Sequence, residues 1–238
     1  MAERDRDHYQ SPLSTRYAGE AMRANFSERK KFLTWHRIWL ALAESQKELG
    51  LAITEAQLVE LRANLELIDF ELAERFEREL RHDVMAHVHA WGEHCKAARG
   101  ILHLGATSCD VTDNADLAIL RDALALVRDA LVNVLRALRA FALEWKALPV
   151  LGLTHLQPAQ ATSLGKRATL WIQDFATNLV ELDELHGRLP FRGIKGTTGT
   201  QASFLSLFHG DHGKVRELER RVARRMGFER CFPVTSQT

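Results

Sequence analysis

The stretch LAILRDALALVRDALVNVLRALRAFALEW, residues 117–145, decides the fold. Leu117, Leu120, Leu124, Val127, Leu131, Val134, Leu138, Phe141 and Trp145 recur at alternating spacings of three and four, an unbroken heptad seam. A helix carrying that seam is roughly 50 Å long at 1.5 Å per residue. Thr112 or Asp113 stands where its cap belongs, and Pro149 follows its end. A second long helix fits Ala161 to Leu189, with Leu164, Ala168, Trp171, Phe175, Leu179, Leu182 and Leu189 inward, and a charged third fits Asp211 to Met226. Such seams need partners. An isolated coiled-coil hairpin is one solution and a multi-subunit bundle the other, and the unusual chemistry of the connecting loops favours the bundle.

Upstream the pattern shortens. Phe32, His36, Trp39, Leu40 and Ala43 share a helical face behind Ser27, a plausible cap. Thr54 and Gln57 form a capping-box pattern before a helix through Leu61, and further helices fit Asp69–Leu80 and Asp83–Lys96. The expected architecture is all-α: a short-helix N-terminal domain over 1–111 and a long-helix bundle domain over 112–238.

Composition agrees and excludes several classes. Of 238 residues, 46% are hydrophobic, ample for a core, and 32 Lys plus Arg against 31 Asp plus Glu leave no global pull toward nucleic acid or membrane. Cys95, Cys109 and Cys231 are odd in number and widely spaced, against a disulfide framework or zinc knuckle. The opening MAERDRDHYQ has no apolar core and no run of about 18 apolar residues occurs, so neither a secretory signal nor a membrane span is expected, and a cytoplasmic setting fits.

Four loops concentrate reactive side chains. Ser14-Thr15-Arg16-Tyr17 offers a charged planar fork and a phenol. Arg81-His82-Asp83-Val84 opens a helix: Asp83 reads as an ordinary cap, while Arg81 and His82 beside the positive helix terminus suit an anion. Of the histidines that follow, only His87 and His94 share a face, without Cys or Glu at useful spacing, so no metal site is expected. Leu104–Leu117, LGATSCDVTDNADL, places Gly105, Thr107 and Ser108 just before the heptad helix, either as a decorated cap or as an anion site of amides and hydroxyls. In Thr154-His155-Leu156-Gln157-Pro158, His155 is either a positioned acid or base near neutral pH or a loop residue with a satisfied hydrogen bond. Beyond lies the Gly-rich Arg192–Gln201, in which Lys195 precedes its glycines rather than following them, unlike a Walker A loop.

In this order, SPLSTRY, RHDVMAHVH, HLGATSCDVTDNADL, THLQPAQATSLGKR and GIKGTTGTQASFLSLF resemble the adenylosuccinate lyases, in the animal-type branch of the fumarase/aspartase superfamily, over nearly the entire chain. The resemblance implies elimination of fumarate from adenylosuccinate, giving AMP, and from the succinylated carboxamide ribotide of purine synthesis. It implies a homotetramer with a shared central bundle and active sites built from several subunits. It implies a purine nucleotide as small-molecule partner, with no redox cofactor and no obligatory metal. Arg16, Tyr17, Arg81, His82, Asp83, Thr107, Ser108 and Gln237 match the family's substrate contacts. His155 matches the histidine that protonates the departing nitrogen, while His82 is left between proton transfer and binding; Lys195 and Thr200 are further pocket candidates.

The chemistry is coherent. Removing a proton beside a carboxylate builds charge that positioned donors must stabilise, and the leaving nitrogen needs a proton that a histidine can deliver. The family's mobile loop, of the form SS-x-MP-x-K-x-NP, supplies the serine base, and no such segment occurs in these residues. The resemblance therefore implies an incomplete, weakly active or inactive portion of a lyase. Two other readings stand beside it: a non-catalytic helical oligomerisation fragment, and a sister lyase releasing fumarate from a different substrate.

Overall fold

The structure, a computed structural model, describes residues 9–236. A π-helical turn at Leu13–Tyr17 leads to α1 (Glu20–Asn25), α2 (Glu28–Glu48), α3 (Glu55–Ala63), α4 (Phe70–Leu80) and α5 (Asp83–His94). A short 3-10 turn precedes α6 (Ser108–Glu144), then β1 (Pro149–Thr154), β2 (Gln157–Ser163), α7 (Leu164–Arg188), α8 (Ala202–Leu207) and α9 (His212–Arg225). Among the described residues the fold is all-α apart from that one hairpin. No helix among the described residues is long and apolar enough to cross a membrane.

Local signals placed most helix starts. Ser27 accepts from Lys30 N, Asp69 from Leu72 N and Asp211 from Lys214 N, and Thr54 with Gln57 completes a reciprocal capping box. Three expectations are corrected. The heptad helix begins at Ser108, a turn before Thr112 and Asp113, because Asp110 caps it from within through the amide of Thr107. The α5 cap is His82, whose Nδ1 accepts from Met85 N, whereas Asp83 Oδ1 accepts from Val84 N. The second long helix starts at Leu164 rather than Ala161, because residues 149–163 pair as a hairpin.

The chain divides into two compact units. One contains the residues up to Leu120 together with those from Leu189 onward; the other is Arg121–Arg188. The expected boundary at 111/112 falls inside α6, and the returning segment from Leu189 belongs with the first unit.

In the first unit the core is organised on α2, whose Trp35, Ile38, Trp39 and Leu42 are buried. Around them pack Leu58 and Leu61 of α3, Val84 and Trp91 of α5, Val111 and Ala115 of α6, and Val215, Leu218 and Val222 of α9. Each of the buried Val, Leu and Ile side chains contributes about 1.5–3 kcal/mol of transfer free energy. Histidines enter this core as aromatic surfaces: His87 stacks on Phe32 at 3.7 Å and His36 on Trp91 at 4.0 Å between ring centroids. Burial lowers both imidazoles from the ordinary 6.5 to about 4. At the rim, Arg225 reaches Glu44 and Glu48 and Arg221 reaches Glu48, tying α9 to α2.

In the second unit the remainder of α6 and α7 are joined through the antiparallel β1–β2 hairpin, registered Pro149↔Ser163 to Thr154↔Gln157 with an irregularity between Leu151 and Leu153. Gly165 allows the start of α7 to touch α6: a Cβ there would collide with the Ala142 carbonyl and the Lys146 backbone. Arg128 Nε meets Asp183 Oδ1 at 2.6 Å across the two helices. The heptad seam stays open within the chain, with Val127, Val134, Phe141 and Trp145 all exposed. Trp171 of α7, expected inward, is also 54% exposed.

Candidate active site

Two motifs separated in sequence meet at the N-terminus of α6. His82, capping α5, approaches Ser108 Oγ with its Nε2 at 3.4 Å. Its Nδ1 accepts the Met85 amide, so in the neutral ring the proton sits on Nε2 and is donated to Ser108. Arg81 closes α4 in a left-handed conformation, φ 55°, unusual for a residue with a side chain. That turn brings the Arg81-His82-Asp83 segment round to begin α5. Asp83 and His82 remain partly exposed, with Asp83 Oδ1 3.6 Å from His82 Nδ1.

The Thr107–Ser108 loop is held from beneath. Gln46 Nε2 donates to the Leu104 carbonyl at 2.8 Å, and Trp39 Nε1 donates to His103 Nδ1 at 2.9 Å. Gly105 takes φ 76°, a conformation that favours glycine, and a Cβ there would lie 2.6 Å from Leu207 Cδ1, so that side chain would have to shift. His103 itself is left-handed at φ 59°, and burial lowers its ring to about 4.

Below Thr107 lies a buried polar network. Asp110 Oδ2 accepts from Thr107 N at 3.0 Å, while Oδ1 accepts from Lys195 N at 2.8 Å and Arg192 Nη1 at 3.0 Å. Asn114 donates to the Asp110 and Gly193 carbonyls and accepts from Arg192 N. Arg192 also meets Asp113 Oδ2 at 3.0 Å through Nε, while its buried Nη2 has no hydrogen-bond partner among the described residues. Lys195 is committed to Glu219, 2.7 Å from Oε1, so its ammonium braces the Gly-rich loop instead of facing open space. Thr200 is exposed and shares a contact with Thr198 at 3.2 Å. Beside the network Arg192, Asp113, Leu117 and Phe232 line a cavity of about 530 Å³.

The other candidates sit on different elements. Arg16 and Tyr17 sit on the exposed π-helical turn, the guanidinium 5.4 Å from the phenol ring, and no described hydrogen bond links them to His82 or Ser108. His155 belongs to the second unit, exposed at the hairpin tip. His155 and Leu156 form the two-residue turn with φ 51° and 62°, both left-handed without glycine, a strained conformation of the kind found at functional sites. Gln237 lies outside the described residues. Of the histidines after Asp83, His94 pairs with Asp69 at 3.0 Å, His87 stacks on Phe32, and His89 lies against Phe76, so each has its own partner.

Sequence reasoning missed Asp110, Asn114, Arg192 and His103. The signal for Asp110 was present: an acidic residue three after Thr107 is the reciprocal half of a capping box. Asn114 and Arg192 carried none, since their partners are 78 residues apart in sequence.

Comparison with known proteins concerns the chain as a whole. Residues 19–235 match the family model described as lyase. The chain is 54% identical to the adenylosuccinate lyase of Saccharomyces cerevisiae, covering 98% of this chain and 49% of that protein. It is 49% identical to that of Schizosaccharomyces pombe, with the same coverages of 98% and 49%. Among solved structures, a fumarate lyase from Mesorhizobium sp. BNC1 superposes with a TM-score of 0.80 at 27% identity, over 92% of this chain and 50% of that one. The chain thus spans about half the length of the curated relatives it matches. With the long-helix fold shared and the family match running from α1 to the Gly-rich loop and past it, the chain belongs to the lyase family.

Proposed function

We propose that the protein carrying this chain is an adenylosuccinate lyase, releasing fumarate from adenylosuccinate to leave AMP and acting likewise on the succinylated carboxamide ribotide. The observation that carries the reading is the meeting of His82 with Ser108 at the start of α6. The names of the relatives support the substrate.

In this mechanism a proton leaves the carbon beside a substrate carboxylate, and negative charge spreads onto that carboxylate. The α6 N-terminus, its amides and the Ser108 hydroxyl are donors that stabilise such charge without moving. His82 binds rather than transfers a proton: its Nδ1 is occupied in capping α5, which leaves Nε2 to face Ser108 and the substrate. Arg16, Tyr17, Arg81, Asp83, Thr107 and Gln237 complete the substrate contacts. His155 protonates the departing nitrogen, and its place on an exposed two-residue turn suits presentation to a site. Within these 238 residues the reading assigns binding and protonation, not proton abstraction.

The functional form is a cytoplasmic homotetramer whose sites draw residues from several copies. The open seam of α6 and the exposed Leu170, Trp171 and Val180 of α7 support that assembly, since apolar surface on this scale marks an interface. The experiment is chromatographic assay of the full-length protein on adenylosuccinate. Equimolar fumarate and AMP support the reading. Absence of both, while another succinylated amine releases fumarate, overturns it in favour of a sister lyase.

A further inference from the structure

We propose that Asp110 is a positioning residue of the site: it turns the Thr107 hydroxyl proton inward and locks the Thr107–Ser108 loop to the Gly-rich loop 82–86 residues away in sequence. The inference deepens the adenylosuccinate lyase reading and rests on it.

Asp110 is completely buried. Its Oδ2 accepts from Thr107 N at 3.0 Å, Thr107 Oγ1 at 3.4 Å and Gly196 N at 3.2 Å. Its Oδ1 accepts from Lys195 N at 2.8 Å, Arg192 Nη1 at 3.0 Å and Gly196 N at 3.1 Å. A buried carboxylate is tolerated only when its oxygens are saturated in this way. Because an ionised carboxylate only accepts, the Thr107 hydroxyl must donate into it, and Thr107 is left to offer a ligand its lone pairs.

Ser108 has the opposite polarity. Met85 N donates to His82 Nδ1, so the neutral ring carries its proton on Nε2 and donates it to Ser108 Oγ. The serine proton is then free for a ligand oxygen. Adjacent hydroxyls therefore present one acceptor and one donor, a pair that matches a ligand with an N–H near a carboxylate. An asparagine at 110 would point an NH₂ at donors, releasing either the hydroxyl of Thr107 or the amides of the Gly-rich loop.

The test is steady-state kinetics of the full-length protein on adenylosuccinate with Asp110→Asn, Thr107→Val and the double variant, each checked for folding by thermal melting. Asp110→Asn should lower kcat/KM about tenfold to a hundredfold, and the double variant should be no worse than the poorer single one. Additive losses, or a folded Asp110→Asn with unchanged kcat/KM, overturn the proposal. Should Asp110→Asn not fold, amide exchange on the wild type decides: AMP binding should slow exchange at Lys195 and Gly196 together with Thr107, and unchanged exchange at Lys195 and Gly196 refutes the coupling. A wild type that releases no fumarate from adenylosuccinate fails at an earlier step, removing the functional reading and the role of Asp110 with it.

Discussion

Acidification from pH 7 to pH 5 should loosen the first unit, and His36 and His87, with the likewise buried His103, should be the cause. Both rings are stacked in the aromatic core and stay neutral, burial being the main influence on each. The Leu65 carbonyl offsets this slightly at His36, and the His36 charge adds to it at His87. With a value of 6.5 in the unfolded chain and about 4 in the folded one, the unfolded state binds more protons between those limits. Stability is therefore intact above 6.5, falls as pH drops through it, and has lost this contribution in full below about 4. Between pH 7 and 5 each ring costs about 2 kcal/mol, or about 4 for the pair. That is a large share of a typical stability of about 5–15 kcal/mol. Asp69 and Glu48, whose values are lowered from 3.8 and 4.5, lose their contributions only at lower pH, while His103 is lowered to about 4 and titrates alongside the pair, so a single-histidine variant is needed to read one ring. His87→Phe keeps a ring against Phe32 and removes one titration. Urea unfolding followed by near-ultraviolet circular dichroism at pH 7 and pH 5 should show the variant losing about 2 kcal/mol less than the wild type over that interval. Identical losses in both proteins would refute the argument.

Three other outcomes are expected. Gly105→Ala forces a left-handed alanine against Leu207 and Phe204, and should cost about 1–3 kcal/mol in chemical denaturation. Asn114→Ala strands the Arg192 amide and the Gly193 carbonyl in the core, and should lower stability by about 2–3 kcal/mol, read as a drop in melting temperature. In the full-length protein His155→Gln should reduce kcat on adenylosuccinate by about 10²–10⁴-fold while leaving AMP binding, measured by calorimetry, close to wild type.

Helix identity was legible because its determinants are local. The three–four spacing of Leu117 to Trp145, the Thr54–Gln57 box, the Ser27 cap and the helices expected from Asp69 and Asp211 rest on signals that act over a turn or two, and each segment is helical, with Asp69 and Asp211 turning out to be the caps. The β1–β2 hairpin was read partly as helix, since Ala161 to Ser163 sit beside a strong helical run and their strand partners lie across a turn. His82 displaced Asp83 as a cap because the left-handed Arg81 reorients the chain before it, a conformation no composition announces.

The site divides along the same line. The residue types suited to anion binding and proton transfer were readable in the motifs around Arg81, Thr107 and His155. That His82 touches Ser108, and that Lys195 is held by Glu219, depended on elements distant in sequence. Sequence by itself determined which segments become helices and which loops carry reactive groups, because propensity, capping and periodicity are short-range. Only the tertiary structure decided that Asp110 is a buried hub for Thr107, Arg192, Lys195 and Gly196. A carboxylate is kept in a core only by donors that converge on it, and the chain brings those together only by folding.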